Sequence, residues 1–395
     1  NDHNNSGFQM GLAGNTSGDV IFYNVANTDM DFYTNNLLRF TIAADGALST
    51  PTAGTSNVRF GVNAGNSIAS GGNYNVFVGD EAGTAITTGD DNVAIGYNAL
   101  KTEDAHGNNV AIGSGALMTL NAGAHGYNVG VGVDAGNDLT TGIQNTLIGG
   151  NAGDALTDAD FNVAIGTDAL HSDTLGSRSI AIGRRSLYTQ NFTTATDSYN
   201  VAVGFEAGHN LTTGTSNTLI GGLAGDALTT GAANVALGTS ALGADTLGQH
   251  NVAIGYQALD AQNFTTATNA YNVAVGSAAG GAVTTGVRNT LIGGLSGDAI
   301  TTGIRNTTLG YFSGGSLDVG GYNIAIGDSA IATDTKGSTA VAVGYGALGT
   351  QNFATATNNY NVAVGYSAGT SVTTGRLNTL VGGLVGDALT TGGEN

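Results

Sequence analysis

The sequence predicts an all-β protein, a parallel β-solenoid or β-roll of about 19 stacked coils, and three observations predict it. The pentapeptide Asn-Val-Ala-Ile-Gly and its variants recur at a short fixed spacing along most of the chain. β-Branched residues dominate each copy, and glycines close each segment, a pattern of short strands. With 66 glycines in 395 residues the chain is also a poor helix former. The glycines lack the three-residue period of collagen, and aliphatic residues are too plentiful for a disordered linker, so the chain should fold.

Aligned on its leading residue, the repeat starts at Asn57 and runs through Asn75, Asn92 and Asn109 to Asn395, with Ser179 and Ala340 filling that slot in two copies. Fourteen of the 19 intervals are 17 residues; one is 18, one is 19 and three are 21. The three long intervals carry one shared insert, Gln190–Thr196, Gln262–Thr268 and Gln351–Thr357. Asn128 to Asn200 and Asn200 to Asn272 are 72 residues each, whereas Asn272 to Asn361 is 89, one 17-residue unit more, so a four-coil block has been duplicated. Each unit buries its apolar face only by stacking on its neighbours, which defines a solenoid. We expect each coil to hold a strand at the pentapeptide, a turn, a second short strand near a motif such as Leu139-Thr140-Thr141-Gly142, and a second turn, giving two parallel sheets. At about 4.8 Å per coil the rod would be on the order of 90 Å long.

Alternation sends the second and fourth pentapeptide residues, such as Val93 and Ile95, to one face, and we expect that face to be the interior. The third residue is usually Ala, but Leu147, Leu219, Leu291 and Leu380 occupy it in other coils, and an outward Leu recurring along a rod suggests a second chain covering that face. Rotational closure then favours a homotrimer, while a wider core is the alternative that needs no partner.

Residues 1–56 do not fit the repeat. Val20-Ile21-Phe22-Tyr23 and Phe40-Thr41-Ile42, around an Asn35-Asn36 turn, read as a small antiparallel β cap preceding a shaft of residues 57–395. Asn395 falls in the first slot of a coil that does not continue, which reads as truncation in mid-array, and the start at Asn1 without a secretory pattern reads as a targeting segment removed or lying elsewhere.

A formal net charge of −19 disfavours nucleic acid and anionic lipid as partners. No apolar run reaches the roughly 18 residues of a membrane span. Without cysteine there are neither disulfides nor thiolate metal sites, so the redox compartment is left open.

The coils Asn92-Val93-Ala94-Ile95-Gly96 and Asn251-Val252-Ala253-Ile254-Gly255 resemble the YadA-like head repeats of trimeric autotransporter adhesins, which are left-handed parallel β-rolls; the likeness covers about residues 57–395. Separately, Asp29–Asn36 followed by Ala43–Leu48 is similar to a segment of bacteriophage tail fibres that precedes repetitive shaft sequence. Together the likenesses imply a trimeric extracellular fibre, with host receptor or glycan bound by a region beyond this chain. They favour the shaft of a phage tail fibre over a bacterial adhesin head, and neither implies an enzyme.

Candidate chemistry is sparse. His3, His106, His125, His171, His209 and His250 occupy unlike positions without metal-ligand spacing and read as exposed turn residues. Asp154, Asp226, Asp298 and Asp387 recur once per block, far apart along the rod, as turn carboxylates. Calcium is the sharper alternative for so acidic a β-roll, but the consecutive Gly-Gly-x-Gly-x-Asp signature is absent and no ligand stands out, so no cofactor is assigned. The leading asparagines should form an amide ladder that locks coil register. Thr-Thr-Gly runs such as Thr212-Thr213 and Thr229-Thr230 bring ice binding to mind, but adjacent strand residues face opposite ways and other coils interrupt the column. The Gly-x-Gly fragments open no helix, and no nucleophile motif appears. Glycan cleavage by paired carboxylates in a groove between chains is the enzymatic alternative.

Overall fold

The computed structural model describes residues 9–12, 20–23, 28–44, 48–50 and 52–395. The chain is an all-β parallel solenoid of about 19 turns behind a small antiparallel N-terminal region. Three-residue strands, from Val58–Phe60 to Thr379–Val381, pair in parallel with their neighbours in chain order. Among the described residues no pairing joins the first of these strands to the last, so the sheet is an open ribbon with one strand per coil. The register is like over like, Val93 beside Val110, Ala94 beside Ala111 and Ile95 beside Ile112. Longer coils are absorbed in the turns: Val129 still pairs with Val110 across 19 residues, and Val201 with Ile180 across 21.

The second continuous sheet does not form. Opposite the ribbon, parallel pairing is confined to two-residue steps at the 21-residue coils: Gly176–Ser177 with Thr196–Asp197, Gly248–Gln249 with Thr268–Asn269, and Gly337–Ser338 with Thr357–Asn358. Elsewhere single backbone bonds link the coils, Thr212 N–H to the Thr229 carbonyl at 2.8 Å and Thr229 N–H to the Thr246 carbonyl at 2.9 Å, and threonine hydroxyls add to them. Thr212 Oγ1 donates to the Thr229 carbonyl at 3.1 Å and Thr229 Oγ1 to the Thr246 carbonyl at 3.0 Å, so these hydroxyls are spent inside the stack rather than displayed as an ice-binding array.

The ribbon faces the opposite way from the sequence expectation. Ala94 is buried while Val93 and Ile95 are half-buried, and the same alternation holds from coil to coil. The leading asparagine decides this parity. Asn234, fully buried, reaches across its own coil to the Gly248 carbonyl (2.9 Å), so the first slot must point inward and alternation carries the third slot in and the second and fourth out. Leu147, Leu219, Leu291 and Leu380 are therefore core residues, and the argument from an outward Leu fails. The thin interior accepts them by exchange of volume: a Cβ on Gly153 would lie 2.8 Å from Leu147 Cδ2, whereas the coil with Ala94 carries Leu100 at the equivalent position.

A glycine ends every strand of the ribbon. Its φ of +124° to +144° is open essentially to glycine alone, and a Cβ on Gly255 would lie 2.4 Å from the Gly276 carbonyl oxygen of the next coil. The glycine column thus sets how closely coils stack.

At the N-terminus, Met30–Thr34 and Leu37–Ile42 form the hairpin expected around Asn35-Asn36, whose φ values of 52° and 60° suit a two-residue turn with both residues left-handed. Leu48–Ser49 adds a short third strand. Val20–Tyr23 pairs with Gln9–Leu12 rather than with this hairpin. The segment Asp45-Gly46-Ala47 lies outside the described residues.

Candidate interaction face

The expected amide ladder is present and makes the ribbon rigid enough to carry a surface. Asn217 Oδ1 accepts from the Asn234 backbone N–H (3.1 Å) and from Asn234 Nδ2 (3.2 Å) of the next coil, while Asn217 Nδ2 donates to the Gly231 carbonyl of its own coil (3.0 Å). One buried side chain thereby closes a coil and ties it to the next. Where Ala340 breaks the column, Asn359 Oδ1 accepts from the Asn361 N–H at 2.9 Å and Gln351 Oε1 from Asn361 Nδ2 at 2.9 Å.

Outward from this ladder stand the second- and fourth-slot side chains. Val, Ile or Thr fills every second slot and Val, Ile, Leu or Phe every fourth, with no charged residue in either row. Two further rows flank them, the residue before each leading Asn and the sixth-slot residue, and both carry exposed side chains such as Tyr199 and Tyr311. From residue 57 onward, every large apolar side chain exposed at the surface belongs to one of these four rows except Val319, Leu384 and Val385. Tyr311 is 58 % exposed, Tyr199 56 % and Leu237 44 %. The two central rows alone make a stripe about 90 Å long and about 10 Å wide, on the order of 900 Å². Soluble monomers seldom expose contiguous apolar patches above roughly 300–600 Å², and a stable interface takes about 800 Å² from each partner.

The residues singled out for chemistry are dispersed, as their sequence positions imply. Asp154, Asp226, Asp298 and Asp387 occupy equivalent turn positions on separate coils, away from the apolar face. Asp154 Oδ1 lies 2.5 Å from His171 Nδ1, and His171, Tyr188 and His209 stack on successive coils at centroid distances of 5.0 and 5.1 Å. His106, His171 and His209 are thus half-buried rather than exposed; His125 and His250 are exposed, and His3 lies outside the described residues. Burial pushes the carboxyls of Asp154, Asp226 and Asp298 up from their ordinary range. Asp134, Asn137, Asp138, Asn151 and Asp154 line a shallow open groove of about 250 Å³.

Sequence reasoning missed a set of buried acids. Glu103, Asp173, Asp245 and Asp334 take the twelfth slot, which other coils fill with an aliphatic residue such as Leu156 or Leu228, and all four are fully buried. Each precedes a 19- or 21-residue coil. Asp173 Oδ1 accepts from the N–H groups of Gly176 (3.0 Å) and Phe192 (3.1 Å), and its Oδ2 from Gln190 Nε2 (2.5 Å). Gln190 Oε1 in turn accepts from Asn200 Nδ2 at 2.9 Å, so a relay of amides ends on a carboxylate, the one group with no proton to place. Desolvation pushes Glu103, Asp173 and Asp245 upward. The signal was legible: an acid in an aliphatic slot immediately before each expanded coil.

Glu103, Asp104 and His106 come within 4.8 Å of one another, a proximity that spacing alone did not single out. Both Glu103 oxygens already accept backbone N–H groups, Oε1 from Asp104 and His106 and Oε2 from Ala122, so Glu103 is accounted for as the acceptor of a hydrogen-bonded turn. Among the described residues no helix is long and apolar enough to cross a membrane.

The chain matches no protein-family model, and no curated protein or solved structure is significantly similar to it. A parallel β-solenoid with one apolar face is the class that the fold defines, and it is compatible with a fibre or adhesin shaft.

Proposed function

We propose that this chain is the structural shaft of an extracellular adhesive fibre, a phage tail fibre engaged in host attachment, in which copies of the chain associate as a homotrimer through the apolar face. The observation that carries the reading is the uninterrupted pair of uncharged rows along the ribbon, on a chain whose net charge is −19. Such segregation keeps the rest of the surface soluble while leaving one side to be covered. Three ribbons facing a common axis would hide all three stripes. Receptor or glycan recognition is assigned to a region outside this sequence, and the chain itself is read as non-catalytic because its fully buried carboxylates, such as Asp173, Asp245 and Asp334, already accept from backbone and amide donors.

A bacterial trimeric adhesin head is the second reading, favoured by the Asn-Val-Ala-Ile-Gly coils. The test common to both is mass in solution. Light scattering on the purified chain should give three times the monomer mass at micromolar concentration, and a monomer would overturn the assignment of the apolar face. Neighbouring genes separate the two readings: tail or baseplate genes fit the fibre, an outer-membrane anchor fits the adhesin.

A further inference from the structure

The two flanking rows of the apolar face carry a pattern that a single chain does not explain. In every coil the residue before the leading Asn is left-handed, with φ between 49° and 66°. Glycine would adopt this conformation without the roughly 1–2 kcal/mol that a side chain costs there, yet none of the chain's 66 glycines occupies the row. Tyr127, Tyr199, Tyr322 and Tyr360 stand in it instead, each about half exposed. Seventh-slot residues such as Asn98 and Gln257 are left-handed as well, so the conformation belongs to the coil, and what sets the flanking row apart is its exposed rings.

The sixth-slot row, on the other edge of the same face, holds a complementary residue in several coils, while Tyr199 with Phe205 and Tyr360 with Tyr366 set ring opposite ring. Tyr322 shares its coil with Asp328, and Asp91 with Tyr97, each a hydroxyl opposite a carboxylate. Arg305 is matched by Tyr311, a cation opposite a ring, and Leu377 by Gly383, a large residue opposite none. Within a chain these partners are six residues apart across a strand, on the order of 15–20 Å, too far to touch. Ring contacts along a row do occur from coil to coil, as between Tyr345 and Tyr366 (5.3 Å) or Arg305 and Tyr322 (5.1 Å). Arg178 and Arg184 form a like-charged pair, and each holds a carboxylate of its own chain, Asp197 at 2.9 Å and Glu206 at 3.6 Å.

We infer that, in the assembled fibre, the row before the leading asparagines of one copy packs against the sixth-slot row of the next copy, coil for coil. The inference rests on the proposed self-association through the apolar face and specifies its edges. Rotation about an axis parallel to the stack brings each coil to the height of the same coil in its neighbour and sets opposite edges together, which is the arrangement the matched pairs require. An antiparallel two-fold pair would instead set like edges together and coils of different number side by side.

The absence of cysteine makes disulfide trapping direct. The doubly substituted full chain Tyr322→Cys with Asp328→Cys should oxidise to a covalently closed oligomer on a denaturing gel, and Thr339→Cys with Tyr345→Cys, on the next coil, should do the same independently. Tyr322→Cys with Tyr366→Cys, offset by two coils, would hold its Cα atoms about 11 Å apart and should stay uncross-linked, since a disulfide spans at most about 7 Å. An associated protein in which neither in-register pair closes, or in which the offset pair closes instead, overturns the edge pairing while leaving self-association standing. A monomer by light scattering overturns both.

Discussion

Replacing Asn217 by Ala tests whether the amide ladder is what keeps successive coils in register. The side chain is fully buried and serves two neighbours that have no other described partner: the Asn234 N–H, 3.1 Å from Asn217 Oδ1, and the Gly231 carbonyl, 3.0 Å from Asn217 Nδ2. Asn234 Nδ2 keeps its bond to the Gly248 carbonyl at 2.9 Å, so it is not stranded. Each buried backbone group left without a partner costs about 1–3 kcal/mol. The truncation should therefore destabilise the local stack by about 3 kcal/mol, roughly a hundredfold in the opening equilibrium. In a quasi-one-dimensional array that cost stays near its source, so hydrogen exchange is the suitable assay. The Asn234 amide and its immediate neighbours should lose about two decades of protection, while coils beyond Asn272 exchange as before. Ala340 supplies an internal contrast, since Asn359 and Gln351 there take over the lost acceptor roles. Protection at Asn234 unchanged within a factor of about five, under roughly 1 kcal/mol, would refute the reasoning that the ladder rather than the ribbon alone fixes the register.

Three further outcomes follow from the same geometry. Gly255→Ala sets a Cβ 2.4 Å from the Gly276 carbonyl oxygen at a φ of 132°, and strain plus overpacking should cost about 3–5 kcal/mol, read as a lower denaturant midpoint with reduced strand signal. Glu103, Asp173 and Asp245 titrate above their ordinary range in the fold, so the folded chain holds protons that the unfolded chain has released; their contribution is complete below about pH 4 and is lost as pH rises through the folded values. Unfolding should accordingly be easier at pH 7 than at pH 4.5 through these groups, and Asp173→Asn with Asp245→Asn should flatten that slope, whatever it does to absolute stability. Finally, Ile254→Lys on the apolar face should leave the circular dichroism of the stack unchanged while lowering the associated mass seen by light scattering; full association with two or more such lysines would remove the face from consideration.

The period, the parallel stacking and the asparagine ladder were legible because each is a statement about spacing, and spacing survives translation into structure without knowing which side is inside. Parity was not, because both sides of this ribbon are apolar. A Val-Ala-Ile strand presents aliphatics outward and small residues inward, and ordinary amphipathic reasoning assigns the larger residues to the core. The residue that settles the matter is polar. Asn92 can satisfy its amide only by reaching the His106 carbonyl across the coil and the Asn109 N–H of the next one, so it points inward and takes the third slot with it. An interior that must also hold that amide column is narrow, which is why Ala alternates with Leu or Phe only where glycine gives way, as Gly83 does for Phe77. The larger β-branched residues are thus excluded from the coil by its width. Their persistence on the outside, without a single charge among them, is the pattern on which the proposed association of chains rests.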